Sequence, residues 1–504
     1  MLLTRDRSLT VTADQIQKVA TTFLKASNRT LGLFIPDKQP DRAPLTSAPD
    51  VTAMVKDYNG KPPAAEGEQF VYTIANIEKR TTRGKLKSGL SWAFLPKETK
   101  ADAVKAQLTI RYGTEADFKG KVEAAELVGD MLLRGTKKHN FQQLTDEFDL
   151  LEADVELHSG MGQLTVDIST NRENLPAVLA LVDEVLRQPS FPATELETIR
   201  KQRLTDLEQS KTDPQALAVT SFRRKLFPYD KTNVRYVPTI EEKIERVKAI
   251  KLDDIKKLHA LLGGSSAQLA IVGDFDAKPI GDKVTALWDG WKSPKPWKRI
   301  ENKYQQVAGS DEVIDTPDKE NALLVAGYAL AMKDDDVDYP AMEVLNYVLG
   351  GGGFTSRLTK RLREKDGLSY GAGSQFQASP FEPVGFIICF AILAPQNAAK
   401  GLVALAEEVE RVAKDGVTAE ELDNAKKGYV KDFERALSSD GFVLDKLVEG
   451  LYVGRTMEYF AQINAKVGTL TLEQVNAAAK KYVKAASLIK VTGADKKKAA
   501  ATKK

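Results

Sequence analysis

The feature that most restricts this fold is one segment written three times at wide intervals. "VTADQIQKVATTFLKASNRTLGLFIP" (11–36) matches "LTLEQVNAAAKKYVKAASLIKVTGAD" (470–495), and "IKLDDIKKLHALLGGSSAQLAIVGDF" (250–275) is a looser copy. Each reads as a Thr- or Asp-led helix start, an amphipathic helix with apolar residues at i, i+3 and i+4, a polar turn and a strand. Copies more than 200 residues apart are too widely spaced for a solenoid and indicate duplicated whole domains.

The interiors agree with that reading. The first unit predicts a strand at 104–112, helices at 119–134 and 140–151, strands at 153–159 and 163–169, then helices at 173–187 and 192–210. The second predicts a strand at 321–331, helices at 338–349 and 355–365, strands at 368–377 and 384–394, then helices at 396–413 and 418–436. "LALVDEVLR" (179–187) parallels "VALAEEVER" (403–411). The order β-α-α-β-β-α-α, with 153–159 and 163–169 joined by a Gly-containing turn, predicts an antiparallel or mixed sheet covered by helices. The fold class is α+β in two homologous repeats.

Domain boundaries follow from composition. Residues 1–35 are the closing helix and strand of a preceding repeat, and 36–68 is a Pro/Asp-rich extended linker. The first repeat runs 69–287. A linker at 288–304 carries tryptophans suited to anchoring the seam. The second repeat runs 305–495, and 496–504 is a basic disordered tail. An orphan helix and strand cannot bury an apolar face alone. Residues 1–35 therefore dock on this chain or on another polypeptide.

Several function classes are disfavoured. A net charge of +3 over 504 residues gives no global drive toward nucleic acid. No apolar run approaches the roughly 18–20 residues of a membrane span; "VGFIICFAIL" (384–393) reads as a buried strand. Its Cys389 is the sole cysteine, which excludes an internal disulfide and any Cys-built zinc site.

"GGGGFTSRLTKRLREKDGLSYG" (350–371) holds the candidate site. Gly350, Gly351, Gly352 and Gly353 follow a helix, and no lysine takes the Walker position, so a phosphate loop is a poor match. A helix C-cap and a flexible turn account for the run. The next helix starts at a Thr/Ser cap, keeps Leu358 and Leu362 one turn apart, and stops at Lys365 and Gly367. Gly367 is expected at positive φ, leading into the strand that carries Tyr370. Arg363, in the last turn, and Tyr370 can face one cleft. A solvated arginine and a packed tyrosine would fit the same residues.

At these residues the chain resembles the pitrilysin/insulinase family of zinc metallopeptidases, including mitochondrial processing peptidase. The resemblance spans nearly the whole chain, and "LREKDGLSYG" (362–371) is its most specific piece. "MLLRGTKK" (131–138) resembles the stretch after the family's His-x-x-Glu-His motif. That register places Glu126 and Asp130 where the histidines would stand and Gly129 where the general-base glutamate would stand. Zinc hydrolysis needs two imidazoles one turn apart and a carboxylate base. His139, His158 and His259 are the only histidines, and no two share a turn. Glu208 lies near the expected third ligand, but an all-oxygen set suits harder cations.

The resemblance implies a C-terminal, non-catalytic half with no cofactor of its own. Zinc would lie on a homologous partner half, upstream in one precursor or on a separate subunit. The halves would close around peptide or small-protein substrates, which add as a strand to an edge beside the zinc. Arg363 and Tyr370 would stabilise the transition state, and metalloendopeptidase activity would belong only to the complete complex. A bacterial periplasm or cell envelope is the implied setting. The alternative implied is a proteolytically inactive scaffold, as in respiratory-complex core proteins.

Overall fold

Alternation along "AVKAQLTIR" buries every second side chain from Val104 onward, which is why this stretch becomes an inner strand. In the computed structural model, residues 10–33, 50, 52, 56 and 66–500 are described. They divide between two compact units, Met1–Ala65 and Glu66–Lys504.

In the first unit, the helix Ala13–Phe23 opens with a reciprocal cap between Thr12 and Gln15 and is followed by a 3₁₀ turn, Ala26–Asn28. The third copy repeats this: helix Leu472–Tyr482, cap Thr471/Gln474, turn Ala485–Ser487. The equivalence stops there. Residues 29–33 carry no strand, and the apolar Ile16, Val19 and Phe23 are exposed. Residues 34–36 and most of the linker expected at 36–68 lie outside the described residues.

In the second unit, the strands are β1 (Thr82–Lys85), β2 (Ser91–Pro96), β3 (Ala103–Arg111), β4 (Asp154–Gly160), β5 (Gln163–Asn171), β6 (Ala267–Gly273), β7 (Ser310–Asp315), β8 (Ala322–Leu330), β9 (Ser369–Ala378), β10 (Gly385–Leu393) and β11 (Ile489–Ala494). They form two mixed sheets, ordered β1-β2-β6-β3-β5-β4 and β7-β11-β8-β10-β9. The closing strand of each repeat lies inside its sheet. β6 runs parallel to β2 and antiparallel to β3; β11 runs parallel to β7 and antiparallel to β8. The α+β class and the central hairpins stand as expected. β1, β2 and β7 were not expected; β2 and β7 pair with strands far along the chain, while β1 forms a short hairpin with β2.

Each sheet has its own helix-covered core, and the repeats exchange a helix. Pro214–Leu226, from the first repeat, lays Ala218, Phe222 and Leu226 against Leu323, Val325, Ile489 and Val491 of the second sheet. Asp440–Val453, from the second, lays Val443, Leu444, Leu447 and Val448 against Ala93, Leu95, Ala270 and Val272 of the first. Each Val, Leu or Phe side chain so buried contributes about 1.5–3 kcal/mol, so the exchange ties the repeats into one unit. Lys97, its side chain 3% exposed, pairs with Asp440 at 2.5 Å across this seam. Of the linker tryptophans, Trp288 is buried in the first core, and the Trp297 ring lies 6.0 Å from Tyr452 of the exchanged helix.

Three expectations are corrected. The single helix predicted at 119–134 is broken into Val122–Glu126 and Val128–Leu132. Ser159 on β4 is the cause: its Oγ accepts from Gly129 N–H at 2.8 Å and donates to Glu126 O at 3.0 Å, displacing the helical ladder. The helices predicted at 338–349 and 355–365 both pass into π turns, Tyr347–Gly351 and Lys360–Lys365. Finally, the disordered tail does not begin at 496. Lys496–Ala500 is helical; Asp495 accepts from Lys497 and Lys498 N–H at 2.8 and 3.1 Å, and Asp315 from Lys496 N–H at 3.0 Å. No helix among the described residues is long and apolar enough to cross a membrane.

Candidate functional site

The motif positions of the first repeat are occupied by ion pairs. Glu126 meets Lys243 at 3.0 Å and Asp130 meets Arg203 at 2.9 Å. Gly129 offers no side chain, and a Cβ there would meet Leu157 O at 3.0 Å. Glu208 is turned to Lys211 at 2.7 Å. The histidines are engaged elsewhere: His139 with Glu184 at 2.9 Å and His259 with Leu186 O at 2.8 Å. His158 stands 3.4 Å from Glu156. Two lone carboxylates, each already neutralised by a cation, do not fit zinc. Among the described residues no three His, Cys, Asp or Glu side chains are grouped to hold a metal.

The second repeat carries the same device. Ser374 on β9 donates to Asn346 Oδ1 at 2.7 Å and lies 3.3 Å from Asn346 O, where the helix Tyr339–Asn346 gives way to the π turn. The half-buried Glu343 faces Tyr339, Tyr429, Tyr459 and Lys446, and burial pushes its carboxyl up to about 7. Sequence reasoning missed this group. Nothing local in "YPAMEVLN" marks it, because Tyr429 and Tyr459 reach it from far along the chain.

The glycine run is a packing device. A Cβ on Gly350 would lie 2.2 Å from Ser374 N, and on Gly352 2.7 Å from the Tyr347 ring. Gly353 takes φ +59°. Downstream, Leu358 and Leu362 are buried, as expected from their spacing, and Gly367 takes φ +61°.

Three arginines on this stretch have different fates. Arg357 is clamped by Glu421 through two bonds of 2.7 Å, and Arg361 by Asp366 at 2.6 Å and Glu407 at 3.0 Å. Arg363 is exposed and has no hydrogen-bond or ion-pair partner among the described residues; its guanidinium lies 4.9 Å from the exposed Phe354 ring. Tyr370 is 79% exposed and equally unpartnered among the described residues. A β-bulge explains its exposure. Register passes from Gly371↔Ile392 to Ser369↔Leu393, leaving Tyr370 unpaired, while Ser369 Oγ donates to Ile392 O at 2.6 Å. Bulges re-aim side chains in this way beside functional sites.

Two sequence models of one family match this chain: "Insulinase (Peptidase family M16)" over residues 93–230 and "Peptidase M16 inactive domain" over residues 249–429. The non-peptidase homolog YmxG of Helicobacter pylori is 24% identical over 378 residues, 73% of this chain and 84% of that protein. The fold is shared with a solved peptidase M16 inactive domain from Pseudomonas fluorescens, at TM-score 0.72 and 22% identity over 82% of this chain and 97% of that one. It is also shared with the periplasmic protease PqqL from Escherichia coli, at TM-score 0.66 and 12% identity over 96% of this chain and 50% of that one. At these identities the structural likeness concerns the fold alone.

Proposed function

Because this chain belongs to the insulinase family, peptidase family M16, and its relatives include non-peptidase and inactive members, we propose that it is the non-catalytic, substrate-binding half of a zinc metalloendopeptidase. In this reading a homologous partner half holds the zinc. Arg363 and Tyr370 are presented to that centre, and this chain alone hydrolyses nothing. The observation that carries the reading is the contrast among neighbours: Arg357 and Arg361 are locked in ion pairs, whereas Arg363 and a bulge-projected Tyr370 are exposed and unpartnered among the described residues.

Water attack on a peptide carbonyl builds negative charge on oxygen. A guanidinium and a phenol aimed there strengthen most in the transition state, and losing one such donor costs about 2.7–4 kcal/mol of barrier. The test uses the complex isolated from its source through a tag on this chain. Tyr370→Phe lowers kcat about 10²–10³-fold while zinc content and pairing are unchanged. Unchanged turnover removes the donor role. Fractionation of the tagged chain tests the accompanying reading of a bacterial-envelope setting.

The similarity to a non-peptidase homolog of Helicobacter pylori favours a second reading, a proteolytically inactive scaffold. An intact His-x-x-Glu-His on the co-purified half decides for the peptidase, and its absence for the scaffold.

A further inference from the structure

The helix Ala13–Phe23 carries apolar residues on one face, and none of its residues is buried. Ile16, Val19 and Phe23 are 61%, 57% and 63% exposed, and Leu24, Leu31 and Leu33 beyond them are barer still. A helix this short gains little stability by itself in water and is held by whatever its apolar face packs on.

The two other copies of this segment indicate what that surface is. Counting from the capping threonines, Ile16, Val19 and Phe23 correspond to Val475, Ala478 and Tyr482, and the turn Ala26–Asn28 to Ala485–Ser487. Val475 and Ala478 are buried, Tyr482 packs on the second core, and their helix lies against Tyr339–Asn346 and Ala398–Asp415. In the looser copy the same positions are Ile255, Leu258 and Leu262, all buried. After each turn the chain enters a sheet between two strands, β11 between β7 and β8, and β6 between β2 and β3. Leu31 and Leu33 supply the alternation of such a strand, yet residues 29–33 carry none, since a strand is made only by pairing.

We infer that residues 12–33 are a closing element for a further homologous repeat, one that lacks a closing helix and strand of its own. Ile16, Val19 and Phe23 seat on the core of that repeat. The chain from Arg29 enters its sheet parallel to one strand and antiparallel to the next, as β11 does. A second copy of this chain does not fit the role, because both sheets of Glu66–Lys504 already hold their closing strands. The docking rests on the homologous partner of the proposed function and involves neither zinc nor Arg363 and Tyr370.

Two experiments test it. In the full chain, residues 470–495 are replaced by the sequence of 11–36, or by the same residues shuffled so that the i, i+3 and i+4 spacing is lost. The direct graft unfolds cooperatively in urea, and its strand amides exchange at least tenfold more slowly than those of the shuffled graft; equal exchange in the two overturns the proposal. In the second experiment, the complex isolated from its source through a tag on this chain is compared with the chain alone. Exchange in residues 13–33 is at least tenfold slower in the complex, and the co-isolated sequence contains a homologous repeat without its closing segment. Ile16→Asp with Phe23→Asp, both at exposed positions, leaves the chain's own urea unfolding unchanged and cuts recovery of the partner by about a hundredfold or more. Unchanged exchange in 13–33, a partner whose repeats are all complete, a second copy of this chain on the helix, no partner, or full recovery with the double variant overturns the proposal. None of these readouts is turnover, so their failure is distinguishable from that of the Tyr370→Phe test.

Discussion

Glu343 supplies the sharpest quantitative test of the second repeat. Its carboxyl is half-buried among Tyr339, Tyr429 and Tyr459, and burial raises it from the ordinary 4.5 to about 7 against the smaller opposing effects of the Tyr339 hydroxyl and Lys446. The folded state therefore binds this proton more tightly than the unfolded state does. Stability from this group is complete below pH 4.5, falls as pH rises toward 7, and is level above it. A tenfold change in proton affinity is worth about 1.4 kcal/mol, so the full displacement is worth about 3 kcal/mol. Glu343→Gln keeps a polar group facing Tyr339 and cannot ionise. Urea unfolding of both proteins is measured from pH 4.5 to 8.5, and the difference between them isolates this group. The variant is expected to match the parent at pH 4.5 and to exceed it by up to about 3 kcal/mol at pH 8. A difference that stays flat across that window refutes the argument, because the carboxyl would then titrate alike in both states.

Other predictions concern separate parts of the molecule. Glu421, held by Arg357, is depressed to about 2. Its stabilising effect is present above the ordinary 4.5 and is lost as pH falls toward 2, so Glu421→Gln flattens acid unfolding between those values. Asp440→Ala leaves Lys97 buried without its carboxylate and costs about 3–5 kcal/mol, whereas Lys97→Met with Asp440→Leu costs far less; thermal unfolding of the three variants checks the ranking. Gly350→Ala drives a methyl group toward Ser374 N, lowering stability by about 1–3 kcal/mol in denaturant titration.

Local pattern carried much of this fold. Alternation in 153–159 and 163–169 and the turn between them specify a hairpin without reference to anything distant, and β4 and β5 follow within two residues. Leu358, Leu362 and Gly367 were legible for the same reason: spacing and a turn are local properties. Ser159 and Ser374 were not legible, since a serine on a strand gives no sign that it enters a helix ladder some 30 residues away. β2 and β7 were missed because their pairings with β6 and β11 depend on contacts across most of a repeat, and β1, a four-residue strand, follows β2.

The residues themselves determined the duplicated α+β plan, the scarcity of histidines, no two of them one helical turn apart, and the spacing of Arg363 and Tyr370. Only the tertiary structure decided that two helices change sheets, that Lys243 and Arg203 pair with Glu126 and Asp130, and that a bulge turns Tyr370 outward. The reason is physical. Periodicity and caps are properties of neighbours in the chain, whereas ion pairing, edge exposure and burial depend on which distant surfaces meet.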